Sequence, residues 1–193
     1  MTGKILFLLF FLFTMSCSTG VERSKDPGIV KVVIQANSSD TTIVILGKTY
    51  TVDTSSVFSI QVGQGKIYVD SFYSDLMPNL DDYYDSGKSY NVLDRDKGEY
   101  KKIKLFETYA PAEVFEKLEF SLNASVLKIG GFEIPVQLPQ DEKLLVDLEQ
   151  EFWVKENTTT EILLGIEPLR SIVRYKDSYR FLRKIRIKQI TYY

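Results

Sequence analysis

From residue 29 onwards the chain repeatedly alternates apolar with polar side chains, and this period of two constrains the fold more than any other feature. The alternation is clear in IVKVVIQA at residues 29–36 and in EVFEKLEFSLN at residues 113–123. Successive side chains of a β-strand point to opposite faces of a sheet, so such segments predict strands with one buried face. No long segment has the 3.6-residue period of an amphipathic helix. The sequence therefore predicts an all-β chain.

Glycine-containing turns separate the predicted strands. Gly47-Lys48 and Gly130-Gly131 lie between apolar runs and predict two-residue hairpin turns, and GQG at residues 63–65 predicts a further turn. Residues 74–100 break the alternation with Pro, Asn, Asp and Gly, and they predict a long acidic connection. Many short strands joined in this way predict a β-sandwich.

Two series of strands resemble each other at an offset of roughly 82 to 86 residues. YKKIKL at residues 100–105 resembles LRKIRI at 182–187, and VILGKTYTV at 44–52 resembles LKIGGFEIPV at 127–136. A duplicated unit predicts two tandem small sandwiches, one of residues 29–107 and one of residues 108–193. A single larger sandwich with exchanged strands is the alternative.

The first sixteen residues are typical of a lipoprotein signal peptide. Lys4 precedes an apolar run at residues 5–13, which is much shorter than the roughly twenty residues that span a bilayer as a helix. Cys17, the only cysteine, follows closely, and this pattern resembles the lipobox of bacterial lipoproteins. In those proteins the thiol of the cysteine is diacylated, and the cysteine becomes the first residue of the mature chain. Thr14 stands where that pattern usually has Leu. An ordinary secretory signal cut nearby is the alternative.

Residues 17–28 would then hold the lipidated cysteine and a tether. The segment STGVERSKDPG at 18–28 is small and charged, so it is suited to a linker and not to a core. These features predict an exported protein of the cell envelope, anchored to a membrane by lipid on the periplasmic face or the outer surface. We expect no nucleic-acid partner for an exported protein.

Missing residue types restrict the chemistry of the chain. Its 193 residues contain no histidine, and Cys17 is the one cysteine, which excludes Ser-His-Asp and Cys-His catalysis and histidine zinc sites. No glycine-rich phosphate loop occurs either. We therefore expect no cofactor, no metal and no enzymatic activity, and we expect the protein to act as a binding or structural component. The alternative is an envelope hydrolase, for example one acting on glycosides, that uses paired carboxylates.

The second half also resembles a known family. APAEVFEKLEFSLN at 110–123, VLKIGGFEIPVQLP at 126–139 and RFLRKIRIKQI at 180–190 follow the order found in bacterial lipoproteins that carry the domain of unknown function 4382. The matching residues are Pro111, Ala112, Phe115, Leu118, Phe120, Gly131, Pro139, Ser171, Ile172, Ile185, Arg186 and Ile187, and the departures are Glu113, Gly165, Arg183 and Lys184. The resemblance implies an immunoglobulin-like or transthyretin-like β-sandwich on a lipoprotein, and it brings no known activity.

The basic C-terminal strand is the main candidate for contact with a partner. Apolar residues alternate with cations in this strand, so Arg180, Lys184, Arg186 and Lys188 are predicted to share one solvent face. Such a face would attract an anionic envelope surface or an acidic protein partner. The alternative is a face that keeps the strand soluble and discourages edge pairing.

Two acidic segments suggest a carbohydrate-binding or cation-binding surface module. DRDKGE contains Asp94, Asp96 and Glu99, and DDYYD contains Asp81, Asp82 and Asp85 beside two tyrosines. The DRDKGE segment lacks the closing bidentate Glu of a strict calcium loop. Ordinary solvated turns are therefore the alternative for both segments.

Overall fold

The computed structural model describes residues 25–77, 87–137 and 145–193, without the side chains of residues 123–125. Cys17 with the predicted signal peptide, the DDYYD segment and Pro139 lie outside these residues. Within the described ranges the chain is all-β, as predicted, and none of the segments is an apolar helix of bilayer-spanning length. The strands are β1 (Gly28–Ala36), β2 (Thr42–Ile45), β3 (Lys48–Thr51), β4 (Val57–Val69), β5 (Phe72–Leu76), β6 (Lys88–Asn91), β7 (Arg95–Asp96), β8 (Glu99–Tyr100), β9 (Ile103–Ala110), β10 (Val114–Ile129), β11 (Phe132–Gln137), β12 (Leu145–Trp153), β13 (Thr159–Ile166), β14 (Ile172–Tyr175), β15 (Ser178–Phe181) and β16 (Ile185–Tyr192).

Two sheets form a β-sandwich. The four-stranded sheet has the order β16-β13-β1-β9, and the eight-stranded sheet has the order β14-β15-β11-β10-β4-β5, with β12 also paired to β10 and β6 to β4. The hairpins β2-β3 and β7-β8 form separate two-stranded sheets. The buried faces of the two main sheets meet at Phe106 of β9 and Phe120 of β10, whose ring centroids lie 6.1 Å apart. The immunoglobulin-like or transthyretin-like type of this sandwich stays a prediction.

The central strand β4 runs through the segment GQG that was predicted to turn. Its pairing with β10 continues on both sides of that segment, with a shift of register between Gly65 and Val62, so the predicted turn is wrong. A Cβ at Gly65 would lie 3.0 Å from Cζ of Phe106, which is closer than side chains normally pack. Gly65 therefore allows the ring of Phe106 to approach the backbone of the opposite sheet.

Strand pairing crosses the predicted boundary at residues 107 and 108 in both main sheets. β1 pairs in parallel with β13, from Ile29 opposite Thr159 to Ala36 opposite Ile166, and β4 pairs with β10. Val32, Val33 and Ile34 of β1 are all buried, so this strand requires cover on both faces and a partner at both edges. The described residues therefore form a single sandwich with exchanged strands and one core, which corrects the division into two tandem sandwiches.

The connections define two ends of the sandwich, which we name after the ends of β1. At the Gly28 end lie the β4–β5, β9–β10 and β12–β13 connections, and the N–H of Ile29 donates to the carbonyl of Thr158 at 2.8 Å. At the Ala36 end lie the β1–β2, β13–β14 and β15–β16 connections, and the N–H of Asn37 donates to the carbonyl of Ile166 at 2.8 Å. Nine residues of β1 separate the two ends by about 25 to 30 Å.

Candidate functional site

A groove at the Ala36 end brings together three of the predicted cationic residues. Lys184, Arg186 and Lys188 line a cavity of about 180 Å³ together with Asn37 and Glu167. We call these five residues the cationic groove. The three cations come from β16 and the residue before it, whereas Asn37 and Glu167 directly follow the ends of β1 and β13.

The alternation of β16 directs the cations outward. Ile185 and Ile187 are partly buried against the core, whereas Lys184, Arg186 and Lys188 are exposed, as the sequence predicted for these positions. Side chains of a strand that covers a core alternate in this way because successive Cβ atoms point to opposite faces.

A β-bulge sets the position of Lys188. Leu163 of β13 lies opposite Gln189, but the next residue, Leu164, lies opposite Ile187, so Lys188 has no direct partner across the ladder. Its aliphatic stem covers Gly165, where a Cβ would lie 2.6 Å from Cδ of the lysine. Glycine at position 165 thus leaves room for the lysine stem along the edge of the groove.

The polar wall of the groove carries one carboxylate. The side-chain amide of Asn37 donates to Oε1 of Glu167 at 3.4 Å, and the backbone N–H of Glu167 donates to the carbonyl of Lys184 at 3.2 Å. Among the described residues, no carboxylate lies within 4.0 Å of the charged nitrogens of Lys184, Arg186 or Lys188. The groove therefore combines three cations with one anion and has a net positive charge.

Arg180 does not belong to this groove. It lies in β15 of the eight-stranded sheet, where its guanidinium carbon is 3.9 Å from the ring centroid of Tyr175. The segment predicted as one strand breaks after Phe181, and Arg183 adopts a φ of 44° before β16 begins in the other sheet. The predicted stripe of four cations is therefore corrected to three cations in one groove and one on the opposite sheet.

A buried carboxylate that the sequence did not reveal lies in the β1–β2 connection, which begins with Asn37 of the groove. The side chain of Asp40 is only 1% exposed, and it accepts the backbone N–H of Leu169 at 2.8 Å and that of Arg170 at 3.2 Å. Burial raises the pKa of the Asp40 carboxyl, and these two hydrogen bonds and the nearby Arg170 guanidinium partly oppose that rise. Asp40 therefore holds the β1–β2 and β13–β14 connections together, which carry Asn37 and Glu167.

The DRDKGE segment forms the hairpin of β7 and β8. Oδ2 of Asp94 accepts a hydrogen bond from the ammonium of Lys101 at 2.8 Å, and this pairing lowers the pKa of Asp94. Among residues 25–77, 87–137 and 145–193, no group of three or more His, Cys, Asp or Glu side chains is placed to hold a metal ion. The cation-binding interpretation of this segment stays a prediction.

A second cavity, of about 450 Å³, is lined partly by acidic residues. Glu116 and Glu149 are both exposed there, beside Tyr68 and Lys117. The hydroxyl of Tyr68 donates to Glu119 at 2.9 Å, and Lys117 lies 3.3 Å from the same carboxylate. A glycoside hydrolase holds its proton-donating carboxyl in a site that excludes water, so two exposed carboxylates on an open surface do not favour that chemistry.

No protein-family model, curated protein or solved structure matches the chain. The resemblance to lipoproteins with the domain of unknown function 4382 therefore stays a prediction, as do the signal peptide and the lipid anchor at Cys17.

Proposed function

We propose that the chain is a lipid-anchored protein of the cell envelope that acts by binding, and that its cationic groove holds an anionic group of an envelope component or of a protein partner. The observation that carries this proposal is the convergence of Lys184, Arg186 and Lys188 on one groove where no described carboxylate pairs with them. Cations held together without partners attract anions more strongly than scattered surface cations do.

The donors of the groove suit a phosphate or carboxylate group. The guanidinium of Arg186 can present two parallel N–H donors to such a group, whereas the ammonium groups of Lys184 and Lys188 act as point charges. The amide of Asn37 adds a neutral donor, and Glu167 repels a ligand whose negative charge is spread evenly. We therefore infer a ligand with a localised anionic group.

Binding is favoured over catalysis by the composition of the chain. The sequence has no histidine, and the cationic groove contains one carboxylate, Glu167, where an acid–base pair of carboxylates would need two. No specific observation on the described residues favours a function other than binding at this groove.

The proposed anchor at Cys17 is supported by the sequence alone. A lone cysteine behind a short apolar run fits acylation of its thiol, which would keep the protein on a membrane after the preceding residues are removed. Metabolic labelling of the full chain with a fatty acid tests this. We expect labelling of the wild type and its loss in Cys17→Ser, and equal labelling of both would contradict the anchor.

The binding proposal is tested with the unlipidated chain of residues 18–193 and a fluorescently labelled phosphate monoester, which carries one localised anionic group, across a salt series. The variant with Glu at Lys184, Arg186 and Lys188 should bind at least about tenfold more weakly, because three attractive charges become repulsive. A control with Glu at the exposed residues Lys48, Lys97 and Lys102 has the same net charge, and we expect its affinity to stay within about twofold of the wild type. Equal loss in both variants, or no loss in the first, would contradict the proposal.

A further inference from the structure

Exposed aromatic side chains collect at the Gly28 end of the sandwich. Phe72 is 76% exposed, Tyr109 70%, Tyr193 69%, Trp153 51% and Tyr192 48%. We call these five residues the aromatic end. Large apolar groups at such exposure are scattered singly on most soluble surfaces, so their collection at one end indicates a contact surface.

The four-stranded sheet contributes two of these residues at one level. Tyr109 of β9 lies opposite Ile29, the second residue of β1, and Thr159 of β13 lies opposite the same residue on the other side. Tyr193 exchanges two backbone hydrogen bonds with Thr159, at 2.9 and 3.2 Å. Tyr109 and Tyr193 therefore lie at the two edges of this sheet, at the end where β1 begins.

The eight-stranded sheet contributes Trp153 and Phe72 at the same end. Trp153 pairs with Val114 at the start of β10, and its backbone N–H donates to the hydroxyl of Tyr192 at 3.5 Å, which links the two sheets. Phe72 follows the β4–β5 turn and shares a cavity of about 250 Å³ with Glu113, which also lines a cavity beside Trp153. The aromatic end is thus continuous across both sheets.

Exposed aromatic residues elsewhere in the described chain have partners. Tyr175 lies beneath the guanidinium of Arg180, and Phe132 packs edge-on against Tyr50 with ring centroids 5.4 Å apart. Trp153 also has a partner, the ammonium of Lys155 at 5.7 Å from its ring centroid. The aromatic end therefore differs in bringing five exposed rings together at the end of the sandwich where β1 begins.

The chain reaches the sandwich through the aromatic end. The ammonium of Lys25, the first described residue, lies 3.5 Å from the carbonyl of Ala112, and Lys25 lines the same cavity as Trp153. Seven residues separate Lys25 from Cys17, and the eight steps between the two Cα atoms span at most about 28 Å when the chain is fully extended. A lipid on Cys17 would therefore keep the aromatic end near the membrane surface, with the Ala36 end free to lie a further 25 to 30 Å away.

We infer that the aromatic end docks into the headgroup region of a phospholipid bilayer, an orientation that rests on the proposed lipid anchor. Tyrosine and tryptophan rings settle at this depth because their apolar bodies leave water while their polar atoms keep hydrogen bonds. Acidic residues at this end, including Asp26, Asp70, Glu113 and Glu156, balance the cations Lys25 and Lys155 beside Trp153, so we expect the attachment to depend on the rings more than on attraction to anionic lipids. The docked sandwich holds its cationic groove away from its own membrane.

Vesicles of zwitterionic phosphatidylcholine test this with the unlipidated chain of residues 18–193, which contains every described strand. Trp153 is the only tryptophan, so its emission reports the aromatic end directly. We expect a blue shift on adding vesicles, quenching by lipids with bromine or nitroxide on the acyl chain, and little change with salt.

Two matched variants locate the contact. Ser at Phe72, Tyr109 and Tyr193 should lower vesicle partitioning at least about tenfold, because these rings lose their apolar area. The control replaces three exposed apolar side chains elsewhere, as Val44→Ser, Leu46→Asn and Tyr175→Ser, and it should partition within about twofold of the wild type. Circular dichroism of both variants checks that they keep the β-fold.

Several results would overturn the inference. These are no partitioning of the wild type, equal loss in both variants, or partitioning that salt abolishes and that requires Lys184, Arg186 and Lys188. Self-association of the wild type through the same rings, without vesicle binding, would assign the aromatic end to a second copy instead. Fatty-acid labelling of the full chain is a separate readout, so a failure of the lipid anchor is distinguishable from a failure of bilayer docking.

Discussion

The carboxylate of Asp40 and the backbone N–H of Leu169 are joined by a 2.8 Å hydrogen bond between two residues 129 positions apart. Both groups are buried, and the bond connects the loop after β1 to the loop after β13. A buried N–H requires a partner, because water cannot replace the acceptor there. This contact fixes the two loops that carry Asn37 and Glu167 of the cationic groove.

Asp40→Ala should lower the free energy of unfolding by about 1 to 3 kcal/mol, since the buried N–H of Leu169 loses its acceptor. The neighbouring N–H of Arg170 is closer to solvent and adds less. Asp53→Ala is the control, because its carboxylate also accepts from a nearby backbone N–H, that of Ser55, but on an exposed turn. Urea unfolding of both variants measures the difference, and an equal or larger effect at Asp53 would contradict this role of Asp40.

The raised pKa of the Asp40 carboxyl predicts that the free energy of unfolding depends on pH. Burial raises its pKa in the folded protein above the ordinary value of about 4, so the folded state binds this proton more tightly than the unfolded state. The stabilisation is therefore full below about pH 4 and is lost as the pH rises through the higher folded pKa. Unfolding free energies across the acid range should show this decline for the wild type relative to Asp40→Asn. If the unfolding free energy of the wild type instead rose with pH relative to that of Asp40→Asn, the dependence would have the opposite sign and would contradict this role of Asp40.

Local features of the sequence predicted local features of the fold. The alternation in β1 and β10 predicted strands that the structure confirms, and Gly130-Gly131 forms the predicted hairpin turn with positive φ at both residues. The other predicted hairpin turns one residue earlier, at Leu46-Gly47. Leu46 adopts there a φ of 49°, a backbone conformation that few leucines adopt. A sequence pattern gives no signal for such a residue.

Long-range features could not be predicted in the same way. A period of two marks a strand but does not identify its neighbour, so the parallel pairing of β1 with β13 and the resulting single core were missed. Nothing in the polar turn around Asp40 marks its carboxylate as buried. The break at Arg183, which separates Arg180 from the groove, likewise depends on which sheet each strand joins.

Because the two halves of the chain share one core, a substitution that destabilises one half is expected to destabilise the other half as well. Gly65→Ala places a methyl group against the ring of Phe106, and it should lower the free energy of unfolding by about 1 to 3 kcal/mol. Trp153 lies in the other half of the chain. In urea unfolding its fluorescence should show the same shift of the transition midpoint as far-ultraviolet circular dichroism. An unchanged Trp153 midpoint would mean that the two halves unfold independently.

The orientation of the sandwich on the membrane is measured most directly with single thiol labels. Because the one native cysteine carries lipid in the proposed protein, a new cysteine is the only free thiol. Ser71→Cys places a fluorophore beside Phe72 at the aromatic end, and Ser38→Cys places it beside Asn37 at the cationic groove, about 25 to 30 Å away along β1. The full lipidated chain in phosphatidylcholine vesicles should show strong quenching of the label at residue 71 by acyl-chain nitroxides and little quenching at residue 38. Equal quenching at both positions, or stronger quenching at residue 38, would contradict a sandwich that docks through its aromatic end and holds its cationic groove away from the bilayer.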